Sequence, residues 1–194
     1  MIQKKDITAI ILAGGKSTRM GADKGWINLN GATFMARIID TVRPLVSTII
    51  IVSDDTRYDQ FGTKRVADII PNAGPMAGIF SGLFYSETAL NLILSCDVPM
   101  INDEVLIELF KGNDPEKDVV QVQSLGKTMP LIALYKKQCM HPILASLKSG
   151  ERRLTSVVRQ LNTKTIVLDT KLENKVRNIN TLEDLKQLQH ELKH

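Results

Sequence analysis

The most restrictive stretch of this chain is a short apolar run that breaks into glycine. Ile7–Leu12 passes directly into Ala13-Gly14-Gly15. A run of that length, closed by a glycine turn, reads as a buried strand entering a loop. In parallel α/β sheets, ligands bind where strands end. Glycine lets the backbone approach phosphate oxygens and aim its N–H groups at them. Lys16, Arg19 and Lys24 add three positive charges within nine residues, a set suited to a triphosphate. A Walker A loop is excluded, because it needs a glycine five positions before Gly15 and that position is Ile10. A dinucleotide fingerprint is excluded as well, since Gly14-Gly15-Lys16 does not satisfy G-x-G-x-x-G. The remaining choices are a cationic phosphate loop and a glycine-rich surface turn with solvated charges; the preceding strand and the three cations favour the first.

The chain then alternates. Residues 34–46 carry apolar side chains at helical spacing, Thr48–Val52 is a β-branched strand, and residues 64–67 form a weak third strand. Residues 76–86 read as a helix, residues 90–96 as a fourth strand, and Asp103 as the cap of a helix through about Phe110. This order predicts a three-layer, Rossmann-like α/β fold with a mainly parallel sheet. Further on, residues 119–123 and 131–135 read as strands around a turn at 124–127, with helices at 138–148 and 154–161 and a strand at 165–168. Thr181-Leu182-Glu183-Asp184 resembles a capping box opening a helix whose apolar side is Leu182, Leu185, Leu188 and Leu192. With no repeat, linker or low-complexity segment, one domain over 1–194 is expected, with a nucleotide-binding half over about 1–110 and an acceptor-binding half over about 111–194.

Composition narrows the function. At 194 residues, 43% hydrophobic and 24% charged, the chain is an ordinary globular protein. Its apolar runs are too short to cross a bilayer and its start is not a signal peptide, so a cytoplasmic chain without a membrane partner is predicted. The formal charge of +4 comes without a long basic run, and aromatics make up only 5%, which argues against nucleic acid. Cys96, Cys139 and the three histidines make no metal-ligand spacing.

Two carboxylates stand at predicted strand ends. Asp97 follows the fourth strand and Pro99 stops that strand, so its carboxylate would share the sheet edge with the glycine loop. Mg2+ prefers one or two carboxylates plus substrate phosphates, which suits Asp97. Asp68 ends the third strand and is a second candidate for metal or nucleotide. A cap or turn role is the alternative for each. Between them lies Gly74-Pro75-Met76-Ala77-Gly78, where Gly78 permits close backbone approach.

Together these residues resemble the molybdenum cofactor guanylyltransferase family, the MobA type. Leu12 to Lys24 follows that family's L-A-G-G-x-x-x-R-M-G-x-D-K loop. Gly74-Pro75-Met76-Ala77-Gly78 stands for its G-P-L-A-G, and Cys96-Asp97-Val98-Pro99 for its C-D-x-P. Gly150-Glu151-Arg152-Arg153 and Asn178-Ile179-Asn180-Thr181 follow in the family's order. The resemblance implies a nucleotidyltransferase fold and transfer of GMP from MgGTP to the terminal phosphate of molybdenum-bound molybdopterin, with release of pyrophosphate. It puts Leu12, Ala13, Gly14, Gly15, Ser53, Asp68 and Gly78 against the nucleotide, Arg19 and Lys24 on its phosphates, and Mg2+ on Asp97. It implies acceptor contacts at Arg152, Arg153, Asn178 and Asn180, for which a solvated helix start and turn-forming asparagines are the alternatives. It also implies transient contacts with proteins that deliver the cofactor or receive it. The chain departs from the family where Val52 or Ser53 replaces a frequent asparagine, and where Met129-Pro130 replaces a His-Pro pair. A cytidylyltransferase of the same pathway, a sugar-phosphate nucleotidyltransferase and a non-catalytic nucleotide-binding protein are the competing readings.

Overall fold

The computed structural model describes residues 3–14 and 23–192. Gly15 and Arg19, two of the expected loop residues, lie outside the described residues. Among the described residues, in chain order, the strands are β1 (Ile7–Leu12), β2 (Asn28–Leu29), β3 (Ala32–Thr33), β4 (Thr48–Val52), β5 (Lys64–Val66), β6 (Leu90–Ser95), β7 (Val119–Ser124), β8 (Lys127–Lys136) and β9 (Thr163–Val167). The α-helices are α1 (Phe34–Val42), α2 (Pro75–Tyr85), α3 (Asp103–Lys111), α4 (Met140–Lys148), α5 (Leu154–Gln160) and α6 (Leu182–Glu191). Seven strands form one sheet in the order β5-β4-β1-β6-β8-β7-β9, in which only β8 runs antiparallel to its neighbours.

The predicted mainly parallel sheet follows from strands apolar on both faces. Ile7, Ala9 and Ile11 of β1 enter the core on one side, with α1, α3 and a 3-10 helix at Thr170–Val176. Ile10 and Leu12 enter the core on the other side, with α2, α4 and α5. A third, smaller cluster joins Leu29 and Phe34 to Ile179 and Leu188. It fastens the C-terminal segment to the β2–β3 hairpin and the start of α1. No helix among the described residues is long and apolar enough to cross a membrane.

Several expectations need correction. α1 ends at Val42 rather than 46, because Pro44 has no N–H and its ring opposes the carbonyl four residues back; Val46 still reaches the core. The cap of α3 is Asn102, whose side-chain oxygen accepts the Val105 N–H at 3.2 Å, and Asp103 is the first helical residue. β8 begins at Lys127, not 131, and carries Pro130 within an irregularity where Gln121 pairs Ala133 but Val122 pairs Met129, a place where a missing N–H is tolerated. The Thr181–Asp184 capping box is present. Of the four leucines expected on this helix, Leu192 lies just past its end, only Leu188 is buried, and Leu182 is 55% exposed. The β2–β3 hairpin went unpredicted despite its Asn30-Gly31 turn, both residues at positive φ, the commonest two-residue hairpin signal.

Candidate active site

β1, β4, β5 and β6 are parallel, so their carboxyl ends share one edge. Pairing continues one residue beyond the strands: Ala13 N–H donates to the Val52 carbonyl at 3.0 Å, Cys96 N–H to Leu12 at 3.0 Å, and Ser53 N–H to Val66 at 2.9 Å. Gly14 and Asp97 therefore leave neighbouring strands at about the same level. The chain runs outward from β1 through β4 to β5, then crosses back to β6, which makes the β1/β6 boundary the switch point where such sheets bind ligands. Leu12 and Ala13 are buried and Gly14 is exposed. A Cβ on Gly14 would meet nothing within 4 Å.

Three side chains from distant parts of the chain meet at this edge. Lys24 Nζ lies 3.4 Å from Asp97 Oδ2 and donates to Asn180 Oδ1 at 2.5 Å. Lys24 opens a 3-10 turn, Lys24–Trp26, whose cap is Asp23. Asn180 is held from two directions: the Ile179 N–H donates to the Asp97 carbonyl at 2.8 Å, and the Asp184 carboxylate accepts the Asn180 N–H at 2.9 Å. That bond, above all, holds the Asp184 carboxyl below its ordinary range. Asp97 Oδ1 is buried and has no protein partner. A buried carboxylate oxygen without a donor is costly unless something positive completes it. No group of three or more His, Cys, Asp or Glu able to hold a metal exists among the described residues. Mg2+ at Asp97 would thus depend on substrate phosphates and water for its other positions, which is its usual habit. The free oxygen and the donor chemistry fit that ion.

Asp68 belongs to a second group at the same edge. A Cβ on Gly78 would stand 3.1 Å from Leu12 Cδ2 and 3.7 Å from Asp68 Oδ1, so Leu12, Gly78 and Asp68 pack together at the start of α2. Asp68 Oδ1 is also buried without a partner. Burial first, then the nearby Asp54 carboxylate, push the Asp68 carboxyl above its ordinary value, with a Ser81 hydrogen bond opposing them. The cap of α2 is Gly74, with φ +70° and ψ −162°, a conformation open to glycine, and Pro75 opens the first turn. Ser53 is buried, and its hydroxyl accepts the Asp55 N–H at 3.2 Å.

The expected acceptor residues are less closely gathered. Asn178 is exposed two residues before Asn180. Arg152 donates its guanidinium to the carbonyls of Leu147 and Glu151, both at 2.9 Å. The backbone N–H groups of Arg153 and Arg152 donate to the Glu151 carboxylate, lowering its pKa. These bonds tie Arg152 to its own turn rather than to Lys24, Asp97 or Asn180. Sequence reasoning missed Asp23 as the cap behind Lys24, although it sits inside the motif, and missed Tyr58, whose hydroxyl donates to Asp23 at 2.8 Å; nothing in the sequence around Tyr58 signals it.

Residues 9–165 match the family model described as MobA-like NTP transferase domain. The chain belongs to the MobA-like NTP transferase family. Among its relatives in this family, a Flavobacterium johnsoniae protein named probable molybdenum cofactor guanylyltransferase is 31% identical over 182 residues, covering 94% of this chain and 96% of the relative. A Vibrio cholerae protein named molybdenum cofactor guanylyltransferase is 30% identical over 166 residues, covering 84% and 81%. The fold matches the molybdopterin-guanine dinucleotide biosynthesis protein A of Archaeoglobus fulgidus with a TM-score of 0.82 at 21% identity, over 96% of this chain and 98% of that one. It also matches a 4-diphosphocytidyl-2C-methyl-D-erythritol synthase of Anaerococcus prevotii with a TM-score of 0.79 at 15% identity, over 98% and 97%. Proteins named for a guanine and for a cytidyl product thus share this MobA-like fold, and the fold by itself does not select the base.

Proposed function

We propose that this MobA-like chain transfers GMP from GTP to the terminal phosphate of molybdenum-bound molybdopterin and releases pyrophosphate. The observation that carries this reading is the meeting of Lys24, Asp97 and Asn180 at the carboxyl edge beside Gly14, with one Asp97 oxygen unclaimed by protein. The names of the relatives, about 30% identical over most of the chain, supply base and acceptor.

The chemistry asks little of a general base. The nucleophile is a phosphate oxygen of the acceptor, anionic near neutral pH. It forms a bond to the α-phosphorus as the bond from that phosphorus to the bridging oxygen of pyrophosphate breaks. The protein's task is to align the two phosphates and to neutralise charge. In this reading the backbone of Leu12, Ala13, Gly14 and Gly15 lies against the nucleotide, with Ser53 and Asp68 toward its nucleoside and Gly78 leaving room for close approach. Lys24 and Arg19 neutralise the departing pyrophosphate. Asp97 would hold Mg2+, which when bound offsets charge on the phosphate oxygens. Asn178 and Asn180, with Arg152 and Arg153, would orient the acceptor, and proteins that deliver the cofactor or receive it would dock transiently. We place the reaction in the cytoplasm, a reading supported by the two free, buried cysteines, Cys96 and Cys139.

Pyrophosphate release is measured with GTP, CTP, ATP and UTP, each with and without molybdopterin. GTP-specific release that requires molybdopterin is expected. Release with CTP alone would move the chain to a cytidylyltransferase, and binding without release under any pairing would overturn the enzymatic reading.

A further inference from the structure

Behind Lys24 lies an aromatic box that the reaction, as described, does not use. Tyr58, in the 3-10 helix Thr56–Phe61, is fully buried. Its ring stacks on Trp26 at 4.7 Å between centroids and faces Phe61 at 6.2 Å. Its hydroxyl donates to Asp23 Oδ1 at 2.8 Å, and the same oxygen accepts the Gly25 N–H at 3.0 Å. That second bond is the cap of the Lys24–Trp26 turn. The fit is close: a Cβ on Gly25 would lie 2.0 Å from the Tyr58 oxygen. No residue but glycine can follow Lys24 while the phenol keeps its place. Burial foremost, then the Asp23 bond, push the phenol well above its ordinary pKa, so it remains a donor.

The box also grips the other side of the nucleotide site. Trp26 Nε1 donates to Asp55 Oδ2 at 3.1 Å, and the Arg57 guanidinium bonds that carboxylate and lies 5.2 Å over the Trp26 ring. The Asp55 N–H bonds the hydroxyl of Ser53, at the end of β4. Ser53 and Lys24, placed above at the nucleoside and the phosphates, are thus joined through Asp55, Trp26, Tyr58 and Asp23.

We propose that Tyr58 is a positioning residue: its hydroxyl fixes the Asp23 carboxylate, and so the turn that presents the Lys24 ammonium to the triphosphate. This rests on Lys24 being a phosphate contact of the proposed transfer. A purely structural Tyr58 would fill the core and leave Lys24 where it is. Tyr58→Phe separates the two, because it keeps the ring and its stacking and removes only the donor.

Four full-length proteins are compared: wild type, Tyr58→Phe, Lys24→Ala and the double variant. Each is titrated with magnesium pyrophosphate by calorimetry and assayed for pyrophosphate release from GTP with molybdopterin. Misplacing a charged contact lowers kcat by about ten- to a hundredfold, and Tyr58→Phe is expected to do so while also weakening pyrophosphate binding. In the Lys24→Ala background, Tyr58→Phe should change neither quantity further, the signature of two residues acting through one contact. Gly25→Ala, which displaces the phenol from its oxygen end, should weaken pyrophosphate binding in the same Lys24-dependent way and stands in if Tyr58→Phe does not fold. Wild-type pyrophosphate affinity in Tyr58→Phe, or equal losses with and without Lys24, would overturn the proposal. Lys24-dependent coupling in the binding titrations of a protein that releases no pyrophosphate from any nucleotide would leave the positioning role standing and remove the transferase reading alone.

Discussion

Lys24 and Asp97 face each other at 3.4 Å, their side chains only 18% and 15% exposed. That spacing is longer than a tight charge-assisted hydrogen bond, and the second Asp97 oxygen has no donor at all. The pair is therefore incompletely satisfied, and a polyphosphate with its cation would complete both members at once.

Replacing Asp97 tests this most directly. Asp97→Ala is expected to slow pyrophosphate release by at least about 10²–10³-fold, the usual loss for a preorganised electrostatic group. Thermal unfolding should change little, because the Lys24 ammonium, which loses its 3.4 Å partner, keeps its bond to Asn180, and the Asp97 carbonyl that anchors Ile179 is kept. Near-normal turnover would remove Asp97 from the metal role.

Thr181→Ala addresses the support of Asn180. The Thr181 hydroxyl accepts the Asp184 N–H at 3.1 Å, and the Asp184 carboxylate in turn accepts the N–H groups of Thr181 and Asn180. Losing such a cap costs about 1 kcal/mol, readable in a urea titration, and should raise KM for the acceptor as Asn180 loosens. The folded-state pKa of Asp184 is lowered from 3.8, so its share of the stability is present above that value and lost as pH falls through the folded-state value.

Asp68 behaves in the opposite sense. Its carboxyl is raised above 3.8 chiefly by burial, so the folded protein holds that proton more tightly than the unfolded chain. The ionised group then opposes folding once pH has risen through the folded-state pKa, and has no such effect below the unfolded value. Asp68→Asn should be more stable than wild type at pH 7, with the advantage fading below about pH 4, while nucleotide affinity falls. An equal stability difference at both pH values would refute the assignment.

Gly82→Ala probes how closely α2 lies on the sheet. Its new Cβ would stand 2.3 Å from Ile10 Cγ2, inside a core with no exposed side. Overpacking of this kind costs about 1–3 kcal/mol, measurable as a lower denaturant midpoint with an unchanged slope.

The first half of the fold was legible because its strands are apolar on both faces and end in chemistry: Leu12 in glycines, and Ser95 in Cys96-Asp97. The same pattern put Asp97 and Lys24 at one sheet edge, where the structure brings them to 3.4 Å. The second half was harder. Pro130 hides the first part of β8, and β9 sits at the sheet edge with Val167 71% exposed, so its pattern is only partly apolar. Leu182, exposed beside the cap of α6, shows why four leucines at helical spacing overstate a buried face. Asn180 was recognisable as a motif, yet its contact with Lys24 depends on Ile179 entering the small cluster with Leu29 and Phe34, which no local pattern announces. Tyr58 was invisible for a related reason, since its value lies in one hydroxyl and one missing Cβ.

The contact between Lys24 and Asn180 spans 156 residues. A chain emerging from the ribosome has made β1, β4, β5 and β6, all within its first 95 residues, well before Asn180 exists. The sheet edge is thus built early, while the Lys24 ammonium and the Asp97 carbonyl wait for their last partners until residues 179 and 180 have been translated. Synthesis itself delays completion of this edge: a product stopping short of that segment lacks both the Lys24–Asn180 bond and the Ile179 bond to the Asp97 carbonyl.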